Sequence, residues 1–347
     1  MIGHGWAVSF LQNCIDTEKV THAYLVRGPA GVGKFRLALD FALALACENP
    51  PAKKYGLRYC GECRPCRLIE ENKHADVTTF GLDWQTRSEG VKEGNAGQNL
   101  QIDTVREIRK ALSRPPHEIN WRIMIIRDAE TFQKAAANAF LKTLEEPPER
   151  AVLILLADSD RPMLPTIVSR CQVVDLRPVP REEIAHALQS EGASKTEAHM
   201  LAALSAGRPG WALDEYKDST KQRINDRDEA LMHLEKLLPA DRLIRLSFAD
   251  KLTYQWQSGG NKRNSVLVML NIWLGWWRDL ALVRQNLTTH VSNVDKLDTL
   301  KEQAGRFSPI QIKNMLLGIT HAQAELEANV MPRLALGDLF INKLPKS

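Results

Sequence analysis

A glycine-rich segment between an apolar run and a helical pattern restricts the possible folds of this chain more than any other feature. Residues 28–35 read GPAGVGKF, and they follow the run AYLV at 23–26. They precede an apolar pattern of helical period over residues 34–46. A strand, a glycine-rich turn and a helix in that order are typical of a phosphate-binding loop, or P-loop, in an α/β fold. The alternative is a glycine-rich turn with no phosphate role.

Each candidate nucleotide ligand in this loop has a chemical reason to be one. Glycines allow backbone N–H groups to surround a phosphate, and the start of the following helix adds partial positive charge. A lysine at the end of the loop reaches the β- and γ-phosphates. The candidate nucleotide-binding residues are Gly28, Gly31, Gly33 and Lys34.

Two residues that would bind magnesium are missing. A serine or threonine hydroxyl normally follows the lysine and binds Mg²⁺, but this chain has Phe35. The apolar run 123–126 should end in a carboxylate for the metal, but Arg127 follows it, with Asp128 next. A guanidinium opposes a bound cation. We therefore expect no ATP hydrolysis in this site, and at most weak nucleotide binding through the retained Lys34.

Strand and helix patterns alternate over the first 180 residues, which predicts a parallel sheet flanked by helices. The predicted strands are 23–26, 77–80, 122–126, 152–156 and 172–176, and the predicted helices are 34–46, 103–112 with Asp103 as its cap, and 135–145. The polar segment 83–97 is predicted to be an exposed loop.

The remaining sequence is helical by pattern. Short helices punctuated by Gly207, Pro209 and Gly210 fill residues 181–217, and longer 3.6-residue patterns fill 218–347 without a convincing strand. The sequence therefore predicts three domains: a degenerate α/β P-loop domain (1–180), a small helical lid domain (181–217) and an all-helical C-terminal domain (218–347).

Composition is that of an ordinary soluble globular protein, with 44% hydrophobic and 25% charged residues in 347 and a formal net charge of +4. Lysine and arginine are spread along the chain, which gives no argument for tight nucleic-acid binding. The first residues lack the pattern of a signal peptide. The apolar run 266–277 is shorter than the roughly 20 residues that span a bilayer. We expect a cytoplasmic protein without membrane contact.

Three cysteines at two-residue spacing predict a metal site. Cys60, Cys63 and Cys66 could converge on one tetrahedral Zn²⁺, and Cys47 at the end of the first predicted helix is the best fourth ligand. The module would be inserted at residues 47–66. The alternatives are a set of reduced, unliganded thiols, or His74 in place of Cys47.

Three strings together resemble the AAA+ clamp loader family of bacterial DNA polymerase III. They are HAYLVRGPAGVGK at 22–34, NAFLKTLEEPP at 138–148 and SRC at 169–171. The resemblance covers the first 215 residues by motif and the rest by architecture only. It implies the AAA+ fold, the same three-domain order, a four-cysteine zinc module and a C-terminal domain that serves as a collar.

The resemblance also implies partners. The chain would join gamma/tau-like ATPase subunits and a delta-like subunit in a hetero-pentamer. Through this complex it would act on the sliding clamp and on primer–template DNA. It would then be a component of the DNA polymerase III holoenzyme without ATPase activity of its own.

Arg170 in the SRC string is the candidate catalytic residue. In clamp loaders this arginine reaches across the subunit interface to a neighbour's γ-phosphate, as an arginine finger; the planar, permanently charged guanidinium suits that role. The alternative is a surface arginine in a local ion pair.

Two other functions compete with a non-hydrolysing subunit. An active motor subunit of the same complex would need the missing magnesium contacts and a lid arginine; Gly210 stands at that lid position, with Arg208 nearby. A free-standing zinc-containing DNA-binding protein would need a basic stripe, which the sequence lacks.

Three further features carry less weight. Arg106, Arg109 and Lys110 could face DNA, although a solvated helix face is favoured. Asp158 and Ser159 follow a strand near the position of the family's first sensor and could be vestigial. The three tryptophans at helical spacing, Trp273, Trp276 and Trp277, are interpreted as core of the C-terminal domain, not as a base-stacking platform.

Overall fold

The computed structural model describes residues 1–52, 56–88, 99–158, 163–328 and 330–345, and leaves the side chain of residue 261 undescribed. The strands are β1 Ala23–Gly28, β2 Val77–Phe80, β3 Arg122–Ile126, β4 Ala151–Asp158 and β5 Gln172–Asp175. The helices before β5 are α1 Gly5–Asp16, α2 Lys34–Ala46, α3 Arg64–Glu70, α4 Leu82–Ser88, α5 Ile102–Leu112, α6 Lys134–Glu145 and α7 Pro165–Val168. The helices after β5 are α8 Arg181–Ser190, α9 Lys195–Leu204, α10 Pro209–Lys217, α11 Gln222–Leu237, α12 Arg242–Gln257, α13 Gly260–Arg284, α14 Leu297–Arg306, α15 Pro309–Glu327 and α16 Pro332–Asp338. Short 3₁₀ helices lie at Ala129–Thr131, Thr288–His290 and Val294–Lys296, and a π-helical turn at Leu339–Lys343.

All strand pairs in the sheet are parallel, in the order β2-β3-β4-β1-β5. The central strands are buried on both faces, as their unbroken apolar sequences require. In β3, Ile123 and Ile125 pack in one core with Phe41 of α2, while Met124 and Ile126 pack in another, which also holds Phe140 of α6. The predicted α/β fold, with a parallel sheet between helices, is confirmed. No strand is described beyond β5.

Two local predictions were wrong. Asp103 does not cap α5, because the helix begins at Ile102 with Gln101 in the N-cap position, and the Asp103 carboxylate instead accepts a hydrogen bond from Arg106. The polar segment 83–97 is not a loop in its first part, which is helix α4. Residues 89–98 lie outside the described chain. The sequence did not indicate this helix because Gln85, which is buried in it, is polar. The side-chain oxygen of Gln85 accepts hydrogen bonds from the backbone N–H of Gln101 and the hydroxyl of Thr104.

The chain divides into two compact units. The first comprises Met1–Ala187 and Gly207–Trp211, and contains the sheet. The second comprises Leu188–Ala206 and Ala212–Ser347, and is helical wherever it is described. The three-domain boundaries at residues 180 and 217 stay a prediction.

Helix α13 forms the core of the second unit. The indole rings of Trp273 and Trp277 are fully buried, with ring centroids 5.6 Å from Phe340 and 5.0 Å from Phe307 respectively. The interpretation of these tryptophans as core is confirmed. By length and composition alone, Lys262–Arg284 would also pass for a membrane span, a test that core helices of soluble proteins meet as well. The carboxylate of the buried Asp279 in this helix accepts hydrogen bonds from Ser292, Asn293 and Arg278.

Candidate functional site

The P-loop connects β1 to α2, and its backbone explains its glycines. Gly31 and Gly33 have φ angles of 78° and 111°, a region that side chains disfavour. A Cβ atom at Gly28 would lie 2.7 Å from the carbonyl oxygen of Leu176. The strand, loop and helix context that the sequence predicted is therefore present.

The ammonium group of Lys34 is bound entirely by the protein. Its Nζ donates to the carbonyl oxygens of Gly28 (2.6 Å) and Pro29 (3.1 Å) and to the Asp158 carboxylate (2.5 Å). An ammonium has three donors, and these acceptors use all of them. The side chain is only 12% exposed. The lysine of the loop thus forms an ion pair with a carboxylate at the end of β4.

Phe35 and Arg127, the residues that replace the magnesium ligands, contact each other. The Arg127 guanidinium carbon lies 5.6 Å from the centroid of the Phe35 ring, within the range of a cation–π interaction. Arg127 also forms an ion pair with Asp83 of α4, with 3.2 Å between Nη1 and Oδ2. The adjacent carboxylate of Asp128 accepts a hydrogen bond from the backbone N–H of Leu82. The side chains at these two positions are therefore a cationic group and a ring, neither of which is a ligand for Mg²⁺.

The lid segment Gly207–Trp211 is hydrogen-bonded to the P-loop. The N–H of Gly210 donates to the carbonyl oxygen of Gly31 (2.8 Å). A Cβ atom at Gly210 would lie 2.9 Å from that oxygen, so this arrangement has no room for an arginine there. The nearby Arg208 guanidinium carbon instead lies 5.9 Å from the centroid of the Trp211 ring. The sequence did not predict the hydrogen bond between Gly210 and Gly31, because these two glycines are distant in the chain.

The four predicted cysteine ligands are brought together. The sulfur atoms of Cys47, Cys60, Cys63 and Cys66 all lie within 4.8 Å of one another. A tetrahedral zinc site with Zn–S bonds of about 2.3 Å needs sulfurs about 3.8 Å apart, so this set could hold a metal with a small contraction. His74 is not the fourth ligand: it lies outside the cluster, and its Nδ1 accepts a hydrogen bond from the N–H of Asp76.

The surroundings of the cysteine sulfurs differ. Backbone N–H groups of Cys63 and Glu62 donate to the Cys60 sulfur and lower its pKa to about 6. Burial raises the pKa of the thiols of Cys47 and Cys66. A bound divalent cation would offset the cost of burying these thiolates.

Arg170 lies just after α7 and is 36% exposed. Its Nη2 lies 2.7 Å from Oε1 of Glu145, the last residue of α6. Its Nη1 donates to the carbonyl oxygen of Thr166 (2.9 Å) and to the Ser169 hydroxyl (3.4 Å). The local ion pair of the alternative interpretation is thus present. No contact described in the chain joins Arg170 to Lys34 or Phe35.

Two of the three basic residues singled out in α5 form ion pairs within their own helix. Arg106 forms an ion pair with Asp103, and Lys110 with Glu107. These pairs favour a solvated helix face over a DNA contact. At the proposed first-sensor position, Asp158 binds Lys34, and Ser159 lies outside the described residues.

Comparisons with known proteins all give similarity to subunits of DNA polymerase III. The family described as DNA polymerase III, delta subunit, matches residues 3–180. Subunit delta' of DNA polymerase III from Escherichia coli K12 is 29% identical over 333 residues, covering 92% of this chain and 88% of that protein. Subunit tau from Bacillus subtilis 168 is 33% identical over 184 residues, which are 53% of this chain and only 30% of that protein.

A solved structure, a gamma subunit-related protein of DNA polymerase III from Thermotoga maritima, is also similar. It covers 95% of this chain and 97% of its own, at 20% identity and a TM-score of 0.45.

Proposed function

Because the chain belongs to the family described as DNA polymerase III, delta subunit, we propose that it is a clamp loader subunit that completes a neighbour's ATP site without hydrolysing ATP itself. It would take the place of the delta' subunit in a cytoplasmic hetero-pentamer. Its neighbours there would be gamma/tau-like ATPase subunits and a delta-like subunit, and the complex would load sliding clamps on primer–template DNA.

One observation carries the non-hydrolysing part of the proposal: Phe35 and Arg127, at the positions expected for the two magnesium ligands, contact each other and supply no oxygen ligand. Lys34 donates to three protein acceptors, one of them the Asp158 carboxylate. A motor subunit needs a hydroxyl and a carboxylate for the metal at the positions of Phe35 and Arg127. The arrangement therefore favours a subunit without turnover over an active motor.

Arg170 is the residue proposed to act on the neighbour. Its guanidinium is partly exposed, and the carboxylate that holds it is 48% exposed. Ion pairs at such sites contribute only about 0–1 kcal/mol, and a guanidinium has N–H donors beyond those that its described partners use, so Arg170 can also bind a phosphate. In the transition state the arginine would stabilise charge on the γ-phosphoryl group.

Zinc is the metal proposed for the cysteine cluster. Four thiolates and no other ligand are typical of a structural site closed to substrate. Cys47, Cys60, Cys63 and Cys66 would hold the ion, which would supply a cross-link between the end of α2 and the start of α3. No chemistry of the ATP site is assigned to it.

The test is ATP hydrolysis by the reconstituted complex, stimulated by DNA and clamp. With Arg170→Ala, assembly should be unchanged, because the side chain is on the surface. One site should lose about 10³- to 10⁵-fold in rate, so total hydrolysis falls only partly and clamp loading falls more. Arg170→Lys should not restore activity, because an ammonium lacks the planar fork.

Arg87→Ala provides the matched control, since Arg87 is an exposed arginine in a local ion pair with Asp83. It should leave hydrolysis and loading unchanged. Equal rates for wild-type and Arg170→Ala complexes would leave Arg170 with no role beyond its surface ion pair.

A further inference from the structure

We propose that Glu145 is a positioning residue for Arg170: its carboxylate fixes the guanidinium in the orientation that meets the neighbour's phosphate. The inference rests on the arginine-finger role proposed above and assigns the preceding helix a part in it. It also gives a purpose to one of the two consecutive glutamates in the string LEEPP.

The guanidinium is anchored at both terminal nitrogens. Glu145 accepts from Nη2 at 2.7 Å, and the Thr166 carbonyl oxygen accepts from Nη1 at 2.9 Å. Two anchors on different elements define the plane of the group, which a single contact would leave free to rotate. An arginine has high rotamer entropy, and a finger that is oriented beforehand loses less of it when it meets phosphate.

Glu145 is a firm anchor because its helix is held by the core. The buried side chains of α6 include Ala136, Phe140 and Leu144, each at most 2% exposed. Helix α7 has only four residues, so the segment that bears Arg170 has little rigidity of its own. The ion pair therefore connects a short, exposed segment to a long, packed helix.

The anchors leave the arginine able to act. A guanidinium carries five N–H donors, more than the three described acceptors use. Glu145 can thus stay bound while other donors face a phosphate. Positioning therefore predicts that losing Glu145 slows the neighbouring site. A carboxylate that only held Arg170 away from phosphate would have the opposite effect.

The test uses the complete complex reconstituted with Glu145→Ala or Glu145→Gln. For the alanine variant we expect kcat of the Arg170-dependent site to fall about 10- to 100-fold, the range for a catalytic group displaced by about 1 Å. KM for ATP and assembly should not change. Glutamine keeps an oxygen acceptor, so kcat should fall less in the Glu145→Gln variant. Glu146→Ala, the adjacent exposed acid without an ion pair to any described residue, is the matched control and should match wild type.

A double mutant separates positioning from a general structural effect. If Glu145 acts only through Arg170, adding Glu145→Ala to Arg170→Ala should cause no further loss. Additive losses would overturn the proposal, as would an alanine variant that is as fast as wild type or faster. If Arg170→Ala itself has no effect, the arginine-finger role fails. If Arg170→Ala slows ATP hydrolysis but Glu145→Ala does not, the positioning role of Glu145 is refuted and the arginine-finger role is kept.

Discussion

At the residue scale, Arg245 of α12 is the most deeply buried arginine in the described second unit. Its side chain is 2% exposed, and burial lowers the pKa of its guanidinium. No carboxylate is among its described partners. The guanidinium donates instead to the backbone carbonyl oxygens of Leu237, Leu238, Phe340, Leu344 and Pro345. Carbonyl groups at helix ends carry partial negative charge, so one arginine joins the end of α11 to the C-terminal turn.

We expect Arg245→Met to lower the free energy of unfolding by roughly 3 to 5 kcal/mol, because it leaves several buried carbonyl groups without donors. Urea denaturation measures the change. Arg242→Met, at an exposed position of the same helix, should stay within about 0.5 kcal/mol of wild type. Equal stability of the two variants would mean that water satisfies these carbonyl groups instead.

At the residue scale, prediction from sequence is possible where identity alone decides the chemistry. Phe35 has no hydroxyl to bind Mg²⁺, wherever its side chain points. The contact of Phe35 with Arg127 and the binding of Lys34 by Asp158 could not be predicted, because they depend on strands that meet only in the sheet. The burial of Arg245 was not predicted either, because in a helical sequence pattern a buried arginine cannot be distinguished from an exposed one.

At the element scale, the cysteine module joins two helices through groups distant in sequence. Cys63 is the N-cap residue of α3, Cys66 lies in its first turn, and Cys47 follows the last residue of α2. The two-residue spacing predicted the first three ligands. Cys47 was placed by the end of a predicted helix, and the structure brings its sulfur to the others.

Removal of one ligand tests the zinc assignment. Cys63→Ser should lose the near one equivalent of zinc that we expect in purified protein, and it should loosen the module, since structural zinc contributes roughly 10 kcal/mol or more in small domains. Metal analysis and thiol reactivity are the measurements. Cys171→Ser, outside the cluster, should keep its zinc. Wild-type protein without zinc, with four freely reactive thiols, would refute the assignment.

Elements with regular apolar patterns were predicted well, and those with short or polar patterns were not. All five strands were predicted within a few residues of their ends. Helices α3 and α4 have seven residues each, too few for a helical period to be recognised. In α4 the buried side chains are Gln85 and Thr86, so burial leaves no apolar trace in the sequence.

At the scale of the whole molecule, the order of an α/β region followed by helices was readable from the sequence. The return of residues 207–211 to the first unit was not. This segment is held by contacts such as the hydrogen bonds of Gly210 with Gly31 and of Gly207 with Val179, which no local pattern encodes. Local periodicity predicts elements, whereas chain reversals of this kind depend on tertiary contacts.

The isolated chain should not turn over ATP, and Mg-ATP should not raise its Tm. A ligand at 100 times its Kd would stabilise the fold by about 2.7 kcal/mol, so a calorimetric scan would detect real binding. Lys34→Ala is the control and should behave like wild type in both assays. Steady hydrolysis by the pure chain, abolished by Lys34→Ala, would show that the P-loop is functional.

If the site binds no nucleotide, as proposed, the ion pair between Lys34 and Asp158 should keep the conformation of this loop independent of the ATP concentration. Stability that comes from a bound nucleotide rises and falls with its concentration. Lys34 and Asp158 belong to one covalent chain, so a fall in the concentration of ATP does not remove the carboxylate that binds the lysine. The first unit should keep the same loop conformation whether ATP is abundant or scarce.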